Sequence, residues 1–246
     1  MEVGATRKTK TFLLIAFAIV LSLSIIAVGL SVSRVSAGDG PNQSQFDKII
    51  EKVGSFLKGN KDKLKVNEGD VIAEANGIPI YKNEFELRKG LTLASEGQVN
   101  DINNFVLNKL VREKVKEYLA MKYNLKVSED EINLYIEKEK QQFKEFPEAE
   151  GKLKELISAS GMTYEEYWND YERYNVKRML LFDKLYNAII NEGIKNRELK
   201  KTDKMTIEVQ NEYKKYFDNI IDQYVKQAKI SIDEKYKDMF RGFRVD

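Results

Sequence analysis

The sequence predicts a mainly α-helical protein, and three observations carry that prediction. Apolar and aromatic residues recur at steps of three and four along most of the chain, the spacing of one helix face. Alternation of the strand kind is confined to short stretches near residues 71–81 and 229–232. Several periodic runs open on a side-chain oxygen followed three residues later by a carboxylate, the pattern of a helix start.

The longest such run is Thr163 to Ile190, free of Pro and Gly. Thr163 and Glu166 have capping-box spacing, and Tyr164, Tyr167, Trp168, Tyr171, Tyr174, Met179, Phe182, Leu185, Tyr186 and Ile189 fall on one side. A helix this apolar on one face requires other helices to cover it.

Composition narrows the chemistry. The chain has 246 residues, 41 Lys and Arg, 39 Asp and Glu, 13 Tyr and 12 Phe, so it is long enough for a core and is not a disordered composition. It contains no Cys and no His. A disulfide framework, a thiol nucleophile and a cysteine lipid anchor are excluded, as is a Ser-His-Asp triad. Zinc chemistry, which draws on Cys and His, is disfavoured. Neither metal nor cofactor is expected, and no enzymatic activity.

The chain opens with Arg7, Lys8 and Lys10, then an apolar run from Thr11 to Leu30, then Val35-Ser36-Ala37 before Gly38. Basic start, apolar run and small-residue cut site form an export signal over residues 1–37. At about 20 residues the run is long enough to span a bilayer core, so a cleaved signal and an uncleaved anchor both stand, with membrane association through residues 11–33 in the second case. The basic flank places the remainder outside. Without residues 1–37 the chain carries a net charge of −1, with signs interspersed, which argues against a nucleic-acid partner.

Residues 38–70 read as a linker carrying a short amphipathic helix marked by Phe46, Ile49, Ile50, Val53, Phe56 and Leu57. That helix either docks on the main domain or serves a membrane surface or self-association, a homodimer included. From residue 71 to 246 one helical domain is expected. Asn76-Gly77 marks a tight turn between two short extended runs, and Pro79 keeps the second from being a central strand. Asn83-Glu84-Phe85-Glu86 opens a helix. Ile102, Phe105, Val106, Leu110, Val111, Val115, Tyr118 and Leu119 mark a second that ends near Asn124. Ser128 to Glu131 starts a third, which Pro147 stops, and a short helix over Lys152 to Ala159 precedes the long one. Glu192 to Thr206 is a charged loop. Ile207, Tyr213, Tyr216, Phe217, Ile220, Ile221, Tyr224 and Val225 form the last long stripe, and a short helix over Asp233 to Arg241 follows. Ile230-Ser231-Ile232 needs a strand partner, and Val71–Ala75 is the one on offer, so a small two-strand element should join the two ends of the domain. Phe105, Leu110, Val111, Phe182, Ile220 and Ile221 are expected in the core. The acids at Glu129-Asp130-Glu131 and Glu165-Glu166 suit the first turn of a helix rather than a metal.

The ordered series is Val71–Tyr81 with its Asn-Gly, the start at Asn83, Leu107 to Val115 (LNKLVREKV), Lys122 to Ile132 (KYNLKVSEDEI) leading to Phe143, and Ser160 to Tyr167 (SGMTYEEY). It resembles the amino-terminal chaperone domain of the SurA and PrsA extracytoplasmic foldases, and in style the trigger-factor substrate-binding module. Residues 71–191 carry most of the resemblance, and 209–232 are similar to the helix and strand that complete that domain. The foldases insert parvulin-type prolyl-isomerase domains before the last helix, where this chain has about 15 polar residues, far short of a domain. Parvulin sites also use His and often Cys, and PrsA-type proteins carry a lipid-modified Cys; all are missing here.

The resemblance implies an exported chaperone, anchored on the outer face of the cytoplasmic membrane or secreted, that holds unfolded or exported polypeptides without ATP or isomerase activity. Client-binding candidates are Met121, Tyr135, Phe143, Phe146, Met162, Tyr167, Trp168 and Tyr171, large adaptable side chains of the kind such a groove needs. At helical spacing the same residues equally read as core. A protein of the same fold that holds one dedicated envelope partner is the competing reading.

Overall fold

The computed structural model describes residues 43–245. The export segment 1–37, its apolar run and the first residues of the expected linker lie outside the described residues. Among the described residues no helix is long and apolar enough to cross a membrane.

The protein is mainly helical with a small antiparallel sheet. Its chain divides into two compact units, each assembled from separate stretches. The first unit takes residues 43–66, Glu86–Asn100 and Glu129–Val176. The second takes Asn67–Phe85, Asp101–Ser128 and the chain from Lys177 on.

In the first unit, α1 (Gln43–Lys58) packs along α5 (Pro147–Ser160). Its stripe of Phe46, Ile50, Val53 and Leu57 is buried, and removing each such side chain from water is worth about 1.5–3 kcal/mol before chain ordering is charged against it. This docking is why residues 43–66 belong to a folded unit rather than to a linker, and the short 3₁₀ turn Lys61–Leu64 and buried Val66 extend it. The Phe56 ring lies on the backbone of α2 (Lys82–Glu96) at Gly90, where a Cβ would stand 1.9 Å from ring carbons. α4 (Glu129–Glu145) packs on α5, which starts at Pro147, where a missing N–H costs nothing. α5 is therefore longer than the short helix expected from Lys152.

The long helix is continuous but not uniform. α6 (Tyr164–Glu166) starts with the capping box at Thr163, then Tyr167–Glu172 is π-helical, and α7 (Arg173–Lys195) carries on. The Glu166 N–H donates to Thr163 Oγ1 at 3.1 Å and the Thr163 N–H to Glu166 Oε2 at 2.6 Å. That backbone donor, with Lys61 nearby, holds the Glu166 carboxyl below its ordinary range.

The second unit holds β1 (Val71–Ala75), β2 (Ile78–Tyr81), α3 (Ile102–Lys122), the body of α7, α8 (Ile207–Lys226), β3 (Ile230–Ile232) and a closing 3₁₀ segment, Glu234–Phe240. Three strands form the sheet, in the order β2-β1-β3, where two were expected. The difference comes from the Asn76-Gly77 turn, which pairs Ala75 with Ile78 directly. Both turn residues have positive φ, +53° and +79°, the requirement of the two-residue hairpin turn that follows strand twist. β3 pairs antiparallel with β1 in the register Ala73–Ile232.

One core lies where α3 covers this sheet, with Ile72, Ile80, Phe85, Leu107, Leu110 and Phe240 at its centre. Another gathers Val115 and Leu119 of α3 with Leu185, Ile189, Phe217 and Ile221. Leu110, Val111 and Ile221 are buried as expected, whereas Phe105, Phe182 and Ile220 are half-buried at the margins. The ammonium of Lys109 stands 4.1 Å from the Phe105 ring and that of Lys116 5.3 Å from Phe182. The charged loop after α7 is pinned by buried Leu199 and by Tyr213, whose hydroxyl donates to the Lys200 carbonyl at 2.7 Å.

Two ion pairs are buried in this unit. Lys114 meets Glu84 at 3.0 Å and Arg178 meets Glu113 at 2.7 Å, all four side chains nearly sealed from solvent.

Candidate functional site

Phe143, Tyr167, Trp168 and Tyr171 come together in the first unit, and the π segment is what assembles them. An i→i+5 turn is wider than an α turn and inserts one residue. Here it buries Tyr167, Trp168, Tyr171 and Glu172 along one short stretch. Trp168 is the hub: Tyr167 meets it edge-on at 5.2 Å between ring centres, Tyr164 at 6.0 Å and Phe143 at 6.1 Å. Tyr171 stacks at a tilt on Tyr167 at 5.6 Å. The Lys140 ammonium lies 5.6 Å from the indole. Each edge-to-face pair contributes about 0.5–1.5 kcal/mol beyond area burial.

This cluster is a closed nest. Trp168 has 0% of its surface exposed, and Phe143, Met162, Tyr167 and Tyr171 are buried as well. Tyr135 and Phe146 are half-buried. Met121, which belongs to the second unit, is 69% exposed. Of the eight client-binding candidates, five thus lie in packing rather than along an open groove: Phe143, Tyr167, Trp168 and Tyr171 face neighbouring rings from their helices, and Met162 is buried in the turn before the capping box.

The nest also contains polar groups that sequence reasoning missed. Glu172 and Asn175 are buried beside it. Tyr167 Oη donates a long 3.5 Å hydrogen bond to Glu172 Oε2. Glu139 of α4 faces the same carboxylate. Burial first, then the Glu172 charge, pushes the Glu139 carboxyl up to about 8. Burial pushes Glu172 up to about 7, offset in part by Asn175 and Tyr167. Near neutral pH this pair therefore holds at least one proton between its members. The indole Nε1 of Trp168 meets no hydrogen-bonding partner among the described residues. One signal was available: Glu172 stands four residues after Trp168, on the apolar stripe rather than off it.

The other acids behave as helix-start groups. Glu129 is engaged by the Arg173 guanidinium, which also donates to Asn133 at 2.9 Å. No group of three or more carboxylates that could hold a metal ion occurs among the described residues.

Some large apolar side chains are left in water, Tyr164 at the margin of the nest among them. In the first unit these are Leu93, Leu134 and Tyr164, and in the second Met121, Tyr123, Met205 and Ile207. Ile207 is 76% exposed although it opens the last apolar stripe, whereas Val209 in the same first turn of α8 packs against the core. Met205 and Ile207 flank Thr206, whose hydroxyl caps α8 through the Val209 N–H.

Searches against protein-family models, curated proteins and solved structures give no match to this chain.

Proposed function

We propose that the protein is an extracytoplasmic, ATP-independent chaperone that binds unfolded or exported polypeptide segments, without prolyl-isomerase activity. The observation that supports this most directly is the contrast between well-sealed cores and large apolar side chains kept in water, Met121 at 69%, Met205 at 57% and Ile207 at 76%. Each exposed apolar Å² forgoes roughly 25 cal/mol, and a client segment laid on it recovers part of that. The likeness of residues 71–191 to the SurA and PrsA chaperone domain points the same way, and so does the missing His and Cys of an isomerase site. Under this reading residues 1–37 export the domain, which is then anchored on the outer face of the cytoplasmic membrane or secreted. Purified protein at several-fold molar excess should suppress aggregation of an unfolded model protein, and no suppression sinks the proposal. In the same preparation a prolyl-peptide assay should give no turnover.

A second reading has its own support. The closed aromatic nest suits a protein with the same fold that holds one dedicated envelope partner. Pull-down of a single stoichiometric partner, with no affinity for generic unfolded chains, selects it over the first.

A further inference from the structure

β3 is an edge strand with a working face still open. The Lys229 carbonyl accepts from the Asn76 N–H at 2.8 Å, Ser231 stands opposite Glu74, and the Asp233 N–H donates to the Ile72 carbonyl at 3.0 Å. Backbone groups alternate in direction along a strand, so those of residues 229, 231 and 233 point at β1. The N–H and C=O of Ile230 and Ile232 then point away from the sheet, and no described residue pairs with them. Unpaired ladder groups of this kind are a template for another strand.

Beside that edge runs an open groove of about 570 Å³. Its apolar wall is Ile230, Ile232, Phe240 and Phe243, and its charged side chains are Lys237, Arg241 and Arg244, with no acid among the described residues that line it. Lys237 is paired with Glu234 and Arg241 with Asp238 at 3.0 Å, both exposed and weakly held. Arg244 is exposed and has no ion-pair partner among the described residues.

We propose that the outer edge of β3 and this groove form a docking site for an extended acidic polypeptide segment, which adds to the sheet as a fourth strand. The backbone of the segment pairs with Ile230 and Ile232. Alternate apolar side chains enter the groove, and its carboxylates meet Lys237, Arg241 and Arg244. Main-chain pairing supplies affinity and the basic rim selects acidic over basic segments. This inference stands apart from the chaperone proposal, because it concerns one kind of segment at one edge and not the holding of unfolded chains at large.

The test uses the full-length protein and two labelled peptides of seven residues, one alternating glutamate with valine and one alternating lysine with valine. The glutamate peptide should bind saturably by fluorescence anisotropy, the lysine peptide at least tenfold more weakly. Bound peptide should slow amide exchange at Ile230 and Ile232 while leaving Ser231 unchanged. Ile232→Pro removes one outward donor without touching a bond to β1, and should weaken binding at least tenfold. Because that change also alters packing, the charge reversal Arg241→Glu with Arg244→Glu is read beside it, and should shift preference toward the lysine peptide. No binding of the glutamate peptide, equal binding of both peptides, or binding indifferent to all three changes overturns the proposal. So does a protein that dimerises in sedimentation through protected Ile230 and Ile232 amides, since the occupant is then a second copy. Aggregation suppression that persists in a protein failing this test leaves the chaperone reading standing alone.

Discussion

Glu172 sits in an environment that its chemistry disfavours. A carboxyl raised above its unfolded value binds more protons folded than unfolded, so stability falls as pH rises from the unfolded range, near 4.5, toward the folded values of about 7 and about 8. Glu172→Gln should therefore stabilise the protein at pH 8, by an amount on the order of 2 kcal/mol, and have little effect at pH 5. Thermal unfolding of both forms at the two pH values checks this, and equal pH slopes count against it. Arg178 presents the opposite case. Its guanidinium answers a nearly buried Glu113 at 2.7 Å, so Arg178→Met removes a close cation from a nearly buried carboxylate and should cost about 3–5 kcal/mol in urea unfolding. Adding Glu113→Leu to the same chain should return most of the loss, which separates a stranded charge from a lost contact.

Among the elements, α1 and α2 meet through a contact with almost no tolerance. Alanine is the better helix former by about 1 kcal/mol, yet Gly90→Ala should destabilise by about 1–3 kcal/mol because its methyl enters the Phe56 ring. In a chain already carrying Phe56→Ala the same substitution should be neutral or stabilising, and the difference is read from a double-mutant cycle. The elements themselves were legible in the sequence where periodicity and punctuation agreed: the Thr163 box, the Asn76-Gly77 turn and the Pro147 boundary all stand where the residues put them. What was not legible is the depth of each stripe. Spacing tells which side of a helix is apolar but not whether a neighbour covers it, so Trp168 and Tyr171 could not be told apart from groove residues. The π segment left no signal beyond the position of Glu172, because an inserted residue in a helix changes direction without changing composition. Within 38–70 the stripe of Phe46, Ile50, Val53 and Leu57 was legible as an amphipathic helix, but spacing alone left open whether it docks or serves another surface, and it is buried.

For the molecule as a whole, the single tryptophan is a reporter of whether the aromatic nest opens. With Trp168 fully enclosed, its emission should be blue-shifted and protected from acrylamide. Should clients enter the nest, adding an unfolded polypeptide changes that spectrum; an unmoved spectrum during active aggregation suppression assigns the nest to the core and binding to other surfaces. The sheet carries a further consequence. Ala73 and Ile232 are partners separated by about 160 residues. A chain delivered amino-terminus first at about 5–20 residues per second has its hairpin available many seconds before the third strand emerges. Until then β1 presents a naked margin, so this polypeptide is itself a customer for protection during its own biogenesis, and truncations that stop short of Ile230 should be prone to proteolysis however intact their helices are.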